Sequence, residues 1–203
     1  MTNTDQTFLY EAHNYVLDFW KAFRLPYAKT WIDSSSKARD LSAKLMKEEF
    51  DELMNASTEE EKLDSYCDLL YVTLGGMHSL GYGRSYLVVR NPPANFTGPL
   101  AESIKLIQEK GIICHRRLTE ALPETCWGIT LTAKAKYSKF PAAFRAVHSA
   151  NMSKLWRELP DPSIISTVTV EETERGRYLV KRKEDGKVMK APTFKHPELT
   201  KYL

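Results

Sequence analysis

Apolar residues recur at helical spacing from the start of the chain. Phe8, Leu9, Ala12, Tyr15, Val16, Phe19 and Phe23 fall on one face, which predicts a helix over residues 5–23 that Pro26 ends within about a turn. Ser34–Ser36 supply a cap for a second helix, which runs through Leu41, Leu45, Met46, Leu53 and Met54 to about Ala56. Ser57-Thr58 followed by Glu59-Glu60-Glu61 marks a break and a new start, because acids in a first turn complement the helix dipole. The third helix carries Leu63, Tyr66, Cys67, Leu70, Tyr71, Leu74 and Met77, and Gly81 and Gly83 end it.

Tyr86–Val89 is β-prone, and Asn91-Pro92-Pro93 follows, so this stretch is expected to be a loop or an edge strand. Residues 99–127 predict one or two further helices punctuated by Gly111 and Pro123, and residues 140–157 another, with Pro141 at an early position. Beyond Pro160 the period shortens. Val168, Val170, Tyr178 and Val180 flank Arg175-Gly176, which predicts a β-hairpin, and Asp185-Gly186 makes a second turn. The expected architecture is all-α, a bundle of four to five helices with a small C-terminal hairpin. It forms one domain over residues 1–203, with 82–139 as an insertion and 160–203 as a hairpin-containing tail.

Composition narrows the class. With 203 residues, 42% of them hydrophobic and 27% charged, the chain can bury a core and is not a disordered polyelectrolyte. Three cysteines without CxxC spacing exclude a disulfide framework or a zinc site of that type. The N-terminus lacks a basic-then-apolar signal pattern and no apolar run approaches a membrane span, so a cytoplasmic location (the host cytoplasm for a phage protein) and no membrane partner are expected. A net charge of +3 gives no reason to expect a nucleic-acid partner. The charge is uneven, however: residues 48–68 are acidic and 175–201 mostly basic, which suits a site holding cations at one end and phosphates at the other.

The strongest chemical signal lies in Glu48-Glu49-Phe50-Asp51-Glu52 and Asp64-Ser65-Tyr66-Cys67-Asp68. Glu48 and Glu49 share a helix face with Glu52, and Asp64 shares one with Asp68. Asp68 sits in an otherwise apolar run, where an unpaired carboxylate is costly, so a partner or a metal ion is expected there. Oxygen ligands alone favour a hard ion, Mg2+ or Mn2+.

Glu48-Glu49-x-x-Glu52, followed by Asp64-x-x-x-Asp68-Leu-Leu-Tyr-Val, resembles the MazG-like and phosphoribosyl-ATP pyrophosphohydrolase superfamily. Val147-His148-Ser149-Ala150-Asn151-Met152-Ser153-Lys154, Asp185-Gly186-Lys187-Val188-Met189-Lys190 and Pro197-Glu198-Leu199 resemble a phage and bacterial branch of it. The resemblance covers residues 5–81 and 140–203. It departs at Ser65, where the family usually carries Glu.

The resemblance implies hydrolysis of a nucleoside triphosphate to monophosphate and pyrophosphate, a purine dNTP such as dGTP or dATP being the expected substrate and dUTP the alternative. Glu49, Glu52 and Asp68 are then metal ligands, Asp64 a fourth, and Glu48 a ligand or the group orienting water. Asn151 and Lys154 match the family's phosphate-contacting pair. Arg39 either reaches phosphate or pairs with a surface acid; Lys187 and Lys190 either close over the site or stay solvated. Phe19, Trp20 and Phe23 are candidates for the base slot. A homo-oligomer, dimer or tetramer, is implied. A catalytically weak nucleotide-binding module is the competing reading.

Overall fold

The computed structural model describes residues 3–88, 95–109, 112–174, 176–184 and 186–203. Val89, Asn91-Pro92-Pro93, Gly111, Arg175 and Asp185, which carried turn and loop expectations, lie outside them. Among the described residues there are six α-helices and one two-stranded antiparallel sheet. The helices are α1 (Asn3–Ala22), α2 (Ser36–Asn55), α3 (Glu59–Ser79), α4 (Thr97–Gln108), α5 (Ile112–Lys136) and α6 (Phe140–Met152); the strands are β1 (Val168–Glu172) and β2 (Tyr178–Arg182). None of these helices is long and apolar enough to cross a membrane.

The boundaries follow from local chemistry. Ser35 caps α2, its hydroxyl accepting from Ala38 N at 3.1 Å. Thr58 and Glu61 close a reciprocal capping box at the start of α3, which satisfies two otherwise unpaired donors. Gly81, at φ +81°, turns the chain after α3, and any Cβ there would lie 2.5 Å from the Thr30 backbone.

Two expectations are corrected and one alternative is resolved. Arg84–Leu87 forms a 3-10 turn, which takes the loop alternative over the edge strand. Pro123 lies inside α5 and does not break it; burial of Leu118, Leu122, Cys126 and Trp127 around it offsets the lost hydrogen bond. The helix expected over 140–157 stops at Met152, and Ser153 and Lys154 form a turn.

α3 is the central helix. Its Leu69, Leu70, Leu74 and Met77 are fully buried, and α1, α2, α5 and α6 pack around it. α4 pairs with α5 and with α2, so both α4 and α5 contribute to the main core cluster. The hairpin keeps a separate small cluster of Trp156, Val168, Val180 and Ala191. Isolated bridges from Trp156 to Tyr178 and from Lys181 to Val188 tie it to the chain on either side. The consequence for function is the groove that α2 and α3 leave between them on the side facing the end of α6.

Candidate active site

A cavity of about 450 Å³ occupies this groove. α3 lines it with Asp68, Tyr71, Val72, Gly75, Gly76 and Ser79, a stripe at helical spacing. α2 lines it with Glu49, Leu45, Ser42, Leu41 and Ala38. α1 and the turn after it contribute Phe19, Trp20, Leu25 and Pro26, and Asn151 and Lys154 close it from α6 and its C-terminal turn. One end is therefore charged, with Glu49, Asp68, Asn151 and Lys154. The remainder is apolar and aromatic except for two serines.

At the charged end the carboxylates influence one another strongly. Burial, reinforced by the charges of Asp64, Glu49 and Glu52, pushes the Asp68 carboxyl up to about 8, although Lys154 pulls the other way. Burial and the neighbouring Glu52, Glu48 and Asp64 raise Glu49 to about 7. Asp64 is also raised, by burial first, with His196 of the C-terminal tail opposing and Glu60 and Glu52 reinforcing. Four carboxylates on two facing helices thus form one electrostatic set. As the side chains stand, no three His, Cys, Asp or Glu among the described residues converge closely enough to hold a metal ion. The donor set is nonetheless all oxygen, and the strain it carries is the repulsion a hard divalent cation relieves.

The other candidates separate. Glu49, Asp68, Asn151 and Lys154 line the cavity; Glu52 and Asp64 flank it through their charges on that pair. Glu48 is exposed and 3.5 Å from Lys44. Arg39 points to the preceding turn: its Nη1 donates to Ser34 O at 2.6 Å and to Ser34 Oγ at 2.9 Å, and its guanidinium lies 5.3 Å over the Trp31 ring. Lys154 donates to Asn151 Oδ1 at 2.6 Å, so the two act together although Lys154 lies beyond the helix end. Lys190 sits 4.5 Å over the Phe194 ring and its charge reaches Lys154; both Lys187 and Lys190 are exposed, and neither lines the cavity. The tail is held there by Ala191 N donating to Lys154 O.

Phe19 and Trp20 line the cavity as base-slot candidates; Phe23 is buried and stacks on Phe19 from behind, at 4.1 Å. Several lining residues escaped the sequence reading. Tyr71 places its hydroxyl 3.1 Å from His148 Nδ1, and Tyr15 stacks on that imidazole. Gly75 lets the Trp20 ring lie against α3: a Cβ there would sit 2.5 Å from Trp20 Cη2. The signal was available, since two glycines inside a helical run each cost about 1 kcal/mol relative to Ala and so call for a packing reason. Ser65, at the family's Glu position, is buried and donates to Glu61 O.

Residues 16–82 match the family model of phosphoribosyl-ATP pyrophosphohydrolase. The match contains Glu48, Glu49, Glu52, Asp64 and Asp68 and stops short of Asn151 and Lys154. No curated protein and no solved structure matches the chain.

Proposed function

We infer the reaction of the whole chain from residues 16–82, which match the phosphoribosyl-ATP pyrophosphohydrolase family model, within the MazG-like all-α superfamily. The family's chemistry is pyrophosphohydrolysis, the cleavage of a phosphoanhydride. The chain hydrolyses a nucleoside triphosphate, a purine dNTP first, between the α- and β-phosphates, with Mg2+ (Mn2+ substituting). Water adds to one phosphorus as the bridging bond breaks, and monophosphate and pyrophosphate leave.

The single observation that carries this reading is one cavity with an apolar, aromatic body and a carboxylate-rich end. Phe19 and Trp20 offer faces for a base. Lys154, steadied by Asn151 and within reach of the Asp68 charge, would meet phosphate oxygens at the same end of the cavity. Glu49, Glu52, Asp64 and Asp68 would hold the metal after rotating toward one another, and Glu48 would orient water. When bound, the metal neutralises phosphate charge and lowers the pKa of water. A carboxylate in reach of the attacking water would take its proton. Arg39 is engaged with Ser34 and Trp31, which argues for a structural role.

The test is turnover of every NTP and dNTP with and without Mg2+, the products separated by chromatography. Monophosphate plus pyrophosphate from a few nucleotides, only with metal, is expected. Stepwise release of single phosphates overturns the reading; binding without turnover supports a nucleotide-binding module instead.

A homo-oligomer belongs to the same proposal. Leu41 lines the cavity yet is 56% exposed, so the α2 wall presents apolar surface to solvent that a second copy would cover. Light scattering is expected to give a dimer or tetramer; a monomer at micromolar concentration removes this part.

A further inference from the structure

The cavity's far end carries a polar feature that the phosphate chemistry does not use. Ser42 on α2 and Ser79 on α3 both line it and are 7% and 8% exposed. Their hydroxyl oxygens are 2.8 Å apart. Ser42 Oγ also lies 2.8 Å from Ala38 O, and Ser79 Oγ lies 3.0 Å from Gly76 O.

Three hydrogen bonds are drawn here and only two protons exist to make them. The two backbone carbonyls can only accept. Both hydroxyl protons can be kept inside the protein, one bridging the pair or each bonding its own helix carbonyl, and oxygen lone pairs then face the cavity. A ligand group placed against this pair is stabilised when it donates. A donor leaves the internal hydrogen bonds intact, whereas a carbonyl oxygen placed there is matched only when a hydroxyl proton turns outward and one internal bond is given up.

Position makes the ligand group a nucleobase edge, on the reading proposed above. From Asp68 to Ser79 is eleven residues of α3, ~16 Å of helix rise. The phosphates occupy the Asp68 end, and the Trp20 ring lies against Gly75 between the two ends. A base lying along that ring turns its outer edge toward Ser42 and Ser79. We propose that the Ser42–Ser79 hydroxyl pair is a specificity-determining acceptor that selects nucleotides whose base turns an exocyclic amino group toward it, the 6-amino group of adenine, the 4-amino group of cytosine or the 2-amino group of guanine, over bases presenting oxygen or hydrogen there. This places dUTP behind the amino-bearing nucleotides. It rests on the cavity being the nucleotide site.

The experiment measures binding of matched monophosphates to the full chain by calorimetry, dAMP against dIMP, dGMP against dIMP and dCMP against dUMP, together with kcat/KM for the corresponding triphosphates. In at least one pair the amino-bearing member is expected to bind about tenfold or more tightly, because the partner leaves buried acceptors unmatched. In Ser42→Ala/Ser79→Ala that ratio should fall to within about twofold, with the thermal transition kept, since removing both members of a hydrogen-bonded pair leaves no orphan between them. Nucleotides that bind and turn over without amino preference, or a preference that survives the double substitution, overturn this inference alone. Nucleotides that do not bind overturn it together with the proposed function. If the double variant fails to fold, the wild-type pairs decide, and Ser79→Ala alone reads the loss of one acceptor.

Discussion

Asp68→Asn is expected to lower nucleotide hydrolysis by about 10²- to 10³-fold, the several kcal/mol of transition-state charge stabilisation that a correctly held metal supplies. The same change should stabilise the metal-free protein at pH 8. Asp68 is partly buried, faces Glu49 and feels the charges of Asp64 and Glu52. Asn keeps the shape and removes the charge. Each unit of pKa displacement corresponds to about 1.4 kcal/mol, and discounting for partial exposure leaves an expected gain of about 2 kcal/mol. A functional acid that destabilises its own fold is the stability–activity trade-off in its plainest form. Wild-type turnover in the variant, or no gain in metal-free stability, would show that Asp68 is an ordinary surface acid.

The pH dependence has a definite direction. Asp68 ordinarily titrates at 3.8 and in the folded chain at about 8; Glu49 moves from 4.5 to about 7. The folded state holds these protons more tightly than the unfolded state does. Their favourable contribution is complete below the ordinary values and is lost as pH rises toward 7 and 8. Metal-free protein should therefore unfold at a lower temperature at pH 8 than at pH 5.5, and Asp68→Asn should flatten that slope. The opposite limit comes from Glu59, held down to about 2 by Lys136, Tyr137 and Lys62, and from Glu61, held down to about 2 by its capping contacts with Ser57 and Thr58. Their contribution is present above the ordinary carboxylate range and disappears as pH falls toward 2. Metal binding must displace protons from Asp68 and Glu49, so Mg2+ should bind more tightly as pH rises and should remove most of the alkaline loss.

The parts legible in the sequence are those that a local rule decides. The break at Ser57-Thr58 was readable because the acids that complement a helix's first turn, Glu59-Glu60-Glu61, follow it directly in sequence, and the placement of Asp68 was readable because its apolar flanks make it anomalous. Pro123 was misread as a boundary because its cost is local while its compensation, the buried Leu118–Trp127 face, is tertiary. Lys154 was expected on the helix with Asn151; the helix ends two residues earlier, yet the three-residue spacing still joins their side chains across the turn. Ser42 and Ser79 are thirty-seven positions apart and meet only because α2 and α3 pack antiparallel with Gly76 between them. Single-sequence periodicity does not register that contact, since serines in a helical pattern otherwise read as solvent-facing.

Lys154→Met tests the charge balance from the other side, and its stability effect should carry the opposite sign. Lys154 is the cation whose charge opposes the rise at Asp68, and burial lowers its own pKa. Met fills similar space without charge, leaving Glu49 and Asp68 uncompensated at that end of the cavity. The metal-free protein at pH 8 should lose about 1–2 kcal/mol, within the range for breaking a partly buried charge interaction. Turnover should fall about 10²-fold, because a cation aimed at developing phosphate charge is lost. Lys190, stacked on Phe194 close by, supplies positive charge to the same region and limits the loss. Combining the change with Asp68→Asn separates the effects. If Lys154 acts on stability through Asp68, the double variant should recover most of the stability lost in Lys154→Met, a coupling of about 1 kcal/mol or more in the mutant cycle. Its turnover should stay at the level of Asp68→Asn alone or below, since phosphate binding and carboxylate chemistry are separate requirements. Additive stabilities would mean that Lys154 and Asp68 do not share a field, and the charged end of the cavity would then not be one site.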